Sequence, residues 1–166
     1  LGYPGGVVID GLAKKGDARA FNFPVPKLDE AGHRYDVSFS GLKTAVIHQK
    51  DLFWNKDFEP SNENLCASFQ ETACRTITSR LFRAVDDTGL KTVVAGGGVA
   101  ANSRLRSLLA ERSDVKCVFP PLKLCGDNGA MIAGVAYHFL ARGDRDGWDT
   151  TAKARVPQFK RGLAAR

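Results

Sequence analysis

Two short segments, about two dozen residues apart, carry the side chains of this sequence that are best suited to chemistry. Residues 93–102 read VVAGGGVAAN, and residues 125–132 read CGDNGAMI. Each segment places small residues between an apolar, strand-like run and a helix-like run, with a polar side chain where the helix would begin. Free amides at a helix start attract anions, and glycines let a ligand reach the backbone, so the first segment predicts a phosphate-binding site. In the second segment, Asp127 could instead face a cation.

The polar residues of these segments also allow simpler interpretations. The amide of Asn102 can bind a sugar hydroxyl or cap a helix, and Asp127 can bind a metal or cap a helix. The glycines can serve only to let a helix pack tightly on a strand. The histidines form no His-x-x-x-His pair, so the sequence does not show a complete metal site. They are His33, His48 and His138.

Gly96, Gly98 and Ala101 formally match the fingerprint of dinucleotide-binding proteins. That fingerprint also requires an acidic residue at the end of the next strand, to hold the ribose. Here the next strand ends in Val-Phe-Pro-Pro at 118–121, without a carboxylate. The pattern therefore argues against a nicotinamide cofactor.

Hydrophobic periodicity predicts the elements that position these segments. The Pro and Gly of residues 3–6 favour a type II turn. The predicted elements are a short helix through 8–12, strands at 21–25 and 35–39, a helix from 40, an irregular aromatic segment at 51–60, a long helix from 61 or 62 to 87–89, a strand at 92–95, a helix at 100–112, a strand at 115–119 and a helix at 128–142. The final βαβα order indicates an α/β sheet, on which ligands bind at the carboxyl ends of the strands, where both segments fall.

The long helix has an apolar residue at every fourth position. This spacing predicts a buried stripe, made of Leu65, Phe69, Ala73, Ile77 and Leu81. The arginines that fall off the stripe are predicted to be solvated, namely Arg75, Arg80 and Arg83.

Composition indicates a soluble globular chain with one good core or two very small ones. The 166 residues are 43% hydrophobic and 25% charged, and no apolar run approaches the ~20 residues that span a bilayer. The four cysteines lack Cys-x-x-Cys spacing, which predicts reduced core thiols in a cytoplasmic protein without membrane attachment. Because the chain starts with Leu1 in a turn-like sequence, we interpret it as a piece of a longer protein.

The positive charge is concentrated at the end of the chain. Of the net charge of +6, +4 lies from Arg142 onward, so residues 143–166 form a basic tail. Such a tail suits contacts with nucleic-acid phosphates, and it equally suits a solvated terminus.

Four ordered motifs together resemble one family. They are GYPGG at 2–6, DVSFSGLKT at 36–44, GGVAAN at 97–102 and CGDNGAMI at 125–132. In this order they resemble the C-terminal half of the tRNA N6-adenosine threonylcarbamoyltransferase family, over residues 1 to about 157. The resemblance implies one lobe of the two-lobed actin/sugar-kinase/Hsp70-like fold, an α/β lobe whose mixed sheet has flanking helices, without the N-terminal lobe.

The resemblance also implies a reaction and its residues. The family transfers a threonylcarbamoyl group from threonylcarbamoyl-adenylate to N6 of adenosine 37, in tRNAs that read codons beginning with A. Gly6, Asp10 and Asn102 match positions that contact the adenylate, Asp10 in some members only. Gly97 and Gly98 would line the phosphate-like end, helped by the following helix start.

Metal, tRNA and protein partners follow from the same resemblance. Asp127 matches the one metal ligand that this half contributes to a divalent ion, Fe²⁺ or Zn²⁺. The resemblance makes tRNA the substrate, and the positive charge of the tail makes Lys153, Arg155, Lys160 and Arg161 the expected contacts to its phosphates. In bacteria the family works with a paralogous partner and a small ATPase, TsaB and TsaE.

One departure limits these expectations. The two metal-binding histidines of the family lie upstream of where this chain begins, so we expect the chain alone neither to bind metal tightly nor to catalyse transfer. The alternatives are a nucleotide- or partner-binding module without activity, an ATPase on the same fold, and a metallopeptidase. The last has little basis, because the sequence lacks His-Glu-x-x-His.

Overall fold

A computed structural model describes residues 2–25 and 32–152 of the chain. The helices and strands of these ranges are α1 (Gly5–Ala13), α2 (Ser40–His48), α3 (Asn62–Thr88), β1 (Thr92–Val94), α4 (Ser103–Ala110), β2 (Lys116–Val118) and α5 (Gly129–Ala141). Short 3₁₀ helices occupy Lys50–Leu52, Gly98–Ala101 and Leu122–Leu124. None of the helices in the described ranges is long and apolar enough to cross a membrane.

The chain divides into two compact units, Leu1–Asp127 and Asn128–Arg166. The first unit holds both strands and helices α1 to α4. The second holds α5, which carries exposed apolar side chains such as Ile132, Val135 and Tyr137. Both segments with candidate chemistry begin in the first unit.

The two strands form a small parallel sheet. Thr92 pairs with Lys116 and Val94 pairs with Val118, and α4 connects the two strands. This β-α-β unit confirms the predicted α/β class. No antiparallel strand joins the sheet within the described ranges, so the mixed sheet of an actin-like lobe stays a prediction with which this unit is compatible.

Helix α3 has the predicted boundaries. The Ser61 hydroxyl caps it by accepting from the Asn64 amide at 3.1 Å, and Gly89 ends it with a left-handed φ of 68°. The prediction that Arg80 is solvated is wrong. Arg80 is 9% exposed, and its Nη1 donates to the carbonyl of Arg34 at 3.3 Å, so its charge is held against the segment that precedes α2.

Three clusters of buried apolar residues form along α3. The first joins the segment after α1 to α2, the second joins α3 to α4, and the third joins the end of α3 to the sheet. Their buried members are Ala20, Phe21, Phe23, Leu42 and Ala45; Cys74, Leu105, Leu108 and Leu109; and Val85, Val93 and Val115. The predicted stripe Leu65, Phe69, Ala73, Ile77 and Leu81 packs against these clusters and is only partly buried.

The two strands predicted before α2 are wrong. The segment 21–25 makes a single antiparallel bridge, between Phe21 and Trp54, and 35–39 makes none. The alternation does reflect burial, because the rings of Phe21 and Phe23 stack in the core with centroids 5.6 Å apart. A strand needs a neighbour for its backbone groups, and Pro24 has no amide hydrogen to offer one.

The type II turn predicted at residues 3–6 is also wrong. Helix α1 starts at Gly5, after a cis peptide bond between Tyr3 and Pro4. Gly6 therefore lies in the first turn of a helix, and it precedes Asp10 by four residues on the same helix face.

Candidate functional site

Asn102 lies between the 3₁₀ helix Gly98–Ala101 and α4. Its backbone is extended, with a ψ of 127°, and its Oδ1 accepts from the Leu105 amide at 2.9 Å. The predicted continuous helix at 100–112 is therefore wrong, because the extended Asn102 interrupts it and α4 begins at Ser103. Capping, one of the two roles open to Asn102, is confirmed.

Asp10 of α1 binds the same helix start. Its Oδ1 accepts from both the Ser103 amide, at 3.1 Å, and the Ser103 hydroxyl, at 2.7 Å. Its Oδ2 lies 3.4 Å from the ammonium of Lys14. A carboxylate here is favoured because the amino end of a helix carries partial positive charge.

These contacts correct the expectation of free amides at the start of α4. The amides of Ser103 and Leu105 are taken by Asp10 and Asn102. The protein thus supplies its own anion, the Asp10 carboxylate, to the first amide of α4. The phosphate end expected at Gly97 and Gly98 stays a prediction.

The same contacts bring together residues that are far apart in sequence. Asp10 and Ser103 are 93 positions apart, and Ser103 directly follows Asn102. Gly6 lies one turn before Asp10, and Gly97 and Gly98 lead into the 3₁₀ helix that ends before Asn102. The structure therefore joins α1 to the loop before α4 through one carboxylate.

The glycines of this region are not there for close packing. A Cβ placed on Gly6, Gly97 or Gly98 would meet no atom of the described residues within 4 Å. The backbone conformation explains the glycine at Gly97, because its φ of 84° lies in the left-handed region that other residues rarely adopt. The packing interpretation of these glycines is wrong, and the space beside them is open.

The thiol of Cys74 borders this region from α3. Its Sγ donates to Oδ1 of Asn102 at 3.4 Å. Burial raises the pKa of Cys74 to about 11, so it stays a protonated donor at neutral pH. All four cysteines are free thiols, with Cys66, Cys74 and Cys125 buried and Cys117 partly buried, as the sequence predicts.

Arg106 joins the two segments with candidate chemistry, residues 93–102 and 125–132. Its Nε donates to the carbonyl of Ala100 at 2.7 Å, and its Nη2 contacts the carbonyl of Pro120 at 3.1 Å and Sγ of Cys125 at 3.3 Å. The guanidinium also lies 4.5 Å from the ring centroid of Phe119. Sequence reasoning missed Arg106, although its place one turn after Asn102 on α4 was a usable signal.

Asp127 is exposed, and it has no hydrogen bond or ion pair to any described residue. The cap of α5 is the next residue, Asn128, whose Oδ1 accepts from the Met131 amide at 3.0 Å. The capping interpretation of Asp127 is therefore wrong, and its carboxylate is available to a ligand.

The described residues do not form a metal site on their own. No group of three or more His, Cys, Asp and Glu side chains within 2–25 and 32–152 is placed to hold an ion. Asp127 offers one carboxylate, and a stable Zn²⁺ or Fe²⁺ site needs at least three protein ligands. The predicted tRNA contacts Lys153, Arg155, Lys160 and Arg161 lie outside the described residues.

Comparison with known proteins gives one consistent result. The sequence profile described as "TsaD: tRNA N6-adenosine threonylcarbamoyltransferase" matches residues 1–134. A Treponema denticola protein named tRNA N6-adenosine threonylcarbamoyltransferase is 60% identical over 161 residues, which are 97% of this chain and 48% of that protein. Proteins of the same name are 52% identical in Treponema pallidum, over 98% of this chain and 46% of theirs, and 42% identical in Borrelia hermsii, over 96% and 47%. The chain spans about half the length of these relatives.

Proposed function

This chain belongs to the tRNA N6-adenosine threonylcarbamoyltransferase family, and on that premise we propose that it forms part of an enzyme that modifies tRNA. The proposed reaction transfers the threonylcarbamoyl group of threonylcarbamoyl-adenylate to N6 of adenosine 37, in tRNAs that read codons beginning with A. The chain supplies one side of the ligand cleft, and the rest of the protein supplies the other.

One observation carries this proposal. The hydrogen bonds from Ser103 to Asp10 join α1, which begins within the motif at 2–6, to the residue that directly follows the motif at 97–102. They place Asp10 beside Asn102, at the start of α4. Two side chains expected to contact one adenylate are therefore neighbours, although 92 positions separate them.

The chemistry of each residue supports its proposed role. Asp10 can accept a ribose hydroxyl on Oδ2, which has only Lys14 as a partner among the described residues. Asn102 offers an amide hydrogen, and the open glycines Gly6, Gly97 and Gly98 let the ligand approach the backbone.

In the proposed transfer, the N6 amine of adenosine attacks the carbamoyl carbon of the adenylate. A C–N bond forms, the C–O bond to the phosphate breaks, and AMP leaves with the electron pair while N6 loses a proton. This chain's residues hold the adenylate in one orientation, which is the main requirement for attack by a tRNA amine.

The metal and the partners belong to the same proposal. Asp127 gives one carboxylate to a divalent ion, Fe²⁺ or Zn²⁺, whose other ligands come from outside the described residues. Such an ion would act as a Lewis acid that polarises the threonylcarbamoyl-adenylate. The tail residues contact tRNA, the paralogue TsaB and the ATPase TsaE assist, and the reaction takes place in the cytoplasm.

The test is a transfer assay with the full-length protein, threonylcarbamoyl-adenylate and tRNA. We expect Asn102→Ala to lower kcat/KM about tenfold to a hundredfold, because it removes both a ligand contact and the cap of α4. The matched control is Asn22→Ala, an exposed asparagine far from α4 in sequence, which should keep full activity.

Two results would contradict the proposed function. One is a wild-type protein that transfers nothing to tRNA although it is folded and loaded with metal. The other is ATP hydrolysis without tRNA together with no adenylate binding, which would favour the ATPase alternative.

A further inference from the structure

The amide of Asn102 has a partner that the sequence does not indicate. Its Nδ2 donates to Oε1 of Gln70 at 2.7 Å. Gln70 lies on α3 and is 7% exposed. At the other end of the same amide, Oδ1 accepts from Leu105 and Cys74. Groups from two helices therefore hold this side chain at both ends.

These bonds fix which way the amide faces. The cap requires the oxygen toward Leu105, so the nitrogen faces Gln70. An asparagine nitrogen carries two hydrogens, of which Gln70 takes one. No residue of the described ranges takes the other.

We propose that Gln70 is a positioning residue for ligand binding. Resting on the proposed function, the inference is that Gln70 holds Asn102 so that its second amide hydrogen donates to an acceptor oxygen of threonylcarbamoyl-adenylate. Gln70 itself touches no ligand, and it acts only through Asn102.

The expected effect is on affinity rather than on chemistry. Without the Gln70 acceptor, the Asn102 nitrogen loses a fixed partner, and the ligand must order the amide when it binds. The KM and Kd for the adenylate should rise while kcat changes little.

The experiment is a double-mutant cycle in the full-length protein, read as the Kd of threonylcarbamoyl-adenylate. In Gln70→Leu, a side chain of similar size replaces the glutamine but has no acceptor oxygen. We expect this variant to bind threonylcarbamoyl-adenylate about tenfold more weakly. Gln70→Glu keeps an acceptor oxygen and should recover most of the affinity. In the Asn102→Ala background, Gln70→Leu should cause no further loss, because the residue through which it acts is gone.

A matched control separates this role from general damage to α3. Thr76, 3% exposed on the same helix, donates only to the carbonyl of Thr72, so Thr76→Val alters a buried polar group without touching Asn102. It should leave the Kd unchanged. If Gln70→Leu does not fold by circular dichroism, Gln70→Met takes its place in the same cycle.

The possible failures are distinguishable. Additive losses in the double variant, wild-type affinity in Gln70→Leu, or an equal loss in Thr76→Val would overturn the role of Gln70 alone. A folded wild-type protein that does not bind the adenylate would overturn the proposed function, and the role of Gln70 with it.

Discussion

Glu71 is the residue that holds α3 against α4 by charge. Its two carboxylate oxygens accept from Nε and Nη2 of Arg104, the latter at 3.0 Å, and one oxygen also accepts from Arg75. The hydrogen bonds from Arg104 hold the pKa of Glu71 below its usual value; burial opposes them, and Arg75 assists. Because α4 begins at the Asn102 cap, this carboxylate supports the helix on which the candidate site is built.

The lowered pKa predicts an acid-dependent loss of stability. The ionised Glu71 stabilises the fold fully above its ordinary pKa of about 4.5, and this contribution is lost as the pH falls through the lower folded pKa. We therefore expect Glu71→Gln to lower the free energy of unfolding by about 1–2 kcal/mol at pH 7, and by progressively less below pH 5. Urea unfolding of both proteins between pH 7 and pH 3 measures the difference.

Glu59→Gln is the matched control for this prediction. Glu59 is exposed, and its carboxylate has no partner among the described residues, so its variant should follow the wild-type pH dependence. A difference between wild type and Glu71→Gln that stays constant across the whole pH range would contradict the ion-pair explanation.

At the residue scale, the sequence predicts which side chains can cap a helix or bind a ligand better than it predicts which residues those side chains contact. It indicates that Asn102 caps a helix or binds a ligand, because the residue precedes an apolar periodic run. It does not distinguish Asp127 from Asn128 as the cap of α5, since either side chain can accept from a helix amide. The contacts of Asp10 to Ser103 and of Gln70 to Asn102 are tertiary, and no local pattern encodes them.

Gly16, three residues after the end of α1, lies directly against the start of α3. A Cβ there would clash with the carbonyl of Glu63 and lie 2.7 Å from the Asn64 nitrogen. Next to it, the Asp17 amide donates to the Asn64 side chain at 2.7 Å. The two backbones are in contact at this position, and only glycine fits.

We predict that Gly16→Ala destabilises the protein by about 1–3 kcal/mol, because backbone rather than a flexible side chain must move. Gly11→Ala is the matched control within α1. A Cβ at Gly11 meets no atom within 4 Å, so alanine there should be neutral or stabilise the helix by up to about 1 kcal/mol. Thermal unfolding of the two variants checks this, and equal melting temperatures would show that the contact between α1 and α3 is not tight.

At the element scale, helices with clear caps are predictable and isolated extended segments are not. Ser61 and Gly89 delimit α3 as the sequence indicates. The segments 21–25 and 35–39 alternate like strands, yet apart from the bridge of Phe21 to Trp54 they contact side chains of α3. The Ser68 hydroxyl accepts from the Phe21 amide at 3.0 Å, and Asp87 accepts from the Tyr35 hydroxyl at 2.9 Å. Alternation reports which side is buried, and not whether a neighbouring strand exists.

For the whole molecule, the charge distribution predicts how tRNA binding depends on salt. Lys160→Glu with Arg161→Glu should weaken tRNA binding and reduce the slope of log K against log salt by about 1 for each phosphate contact removed. The matched control reverses Lys50 and Lys56, which are exposed in the first unit. Filter binding at several salt concentrations measures both slopes. Identical slopes in the two double variants would contradict this prediction and would mean that the tail is a solvated terminus without phosphate contacts.

The family was predictable from four motifs in order, and the profile match over residues 1–134 confirms it. The other side of the proposed cleft was not predictable, because this chain spans about half the length of its relatives. For the same reason Asp127 stays a single proposed ligand, and its partners must be sought in the remaining half of the relatives' length.

The hydrogen bonds between Asp10 and Ser103 also determine when this part of the fold can form during synthesis. Asp10 is synthesised first, and its partner Ser103 follows 93 residues later. At translation rates of about 5–20 residues per second, roughly 5 to 20 seconds separate the two. During that interval the proposed adenylate site is incomplete, so a ligand bound there would stabilise only the completed fold and would not guide its first steps.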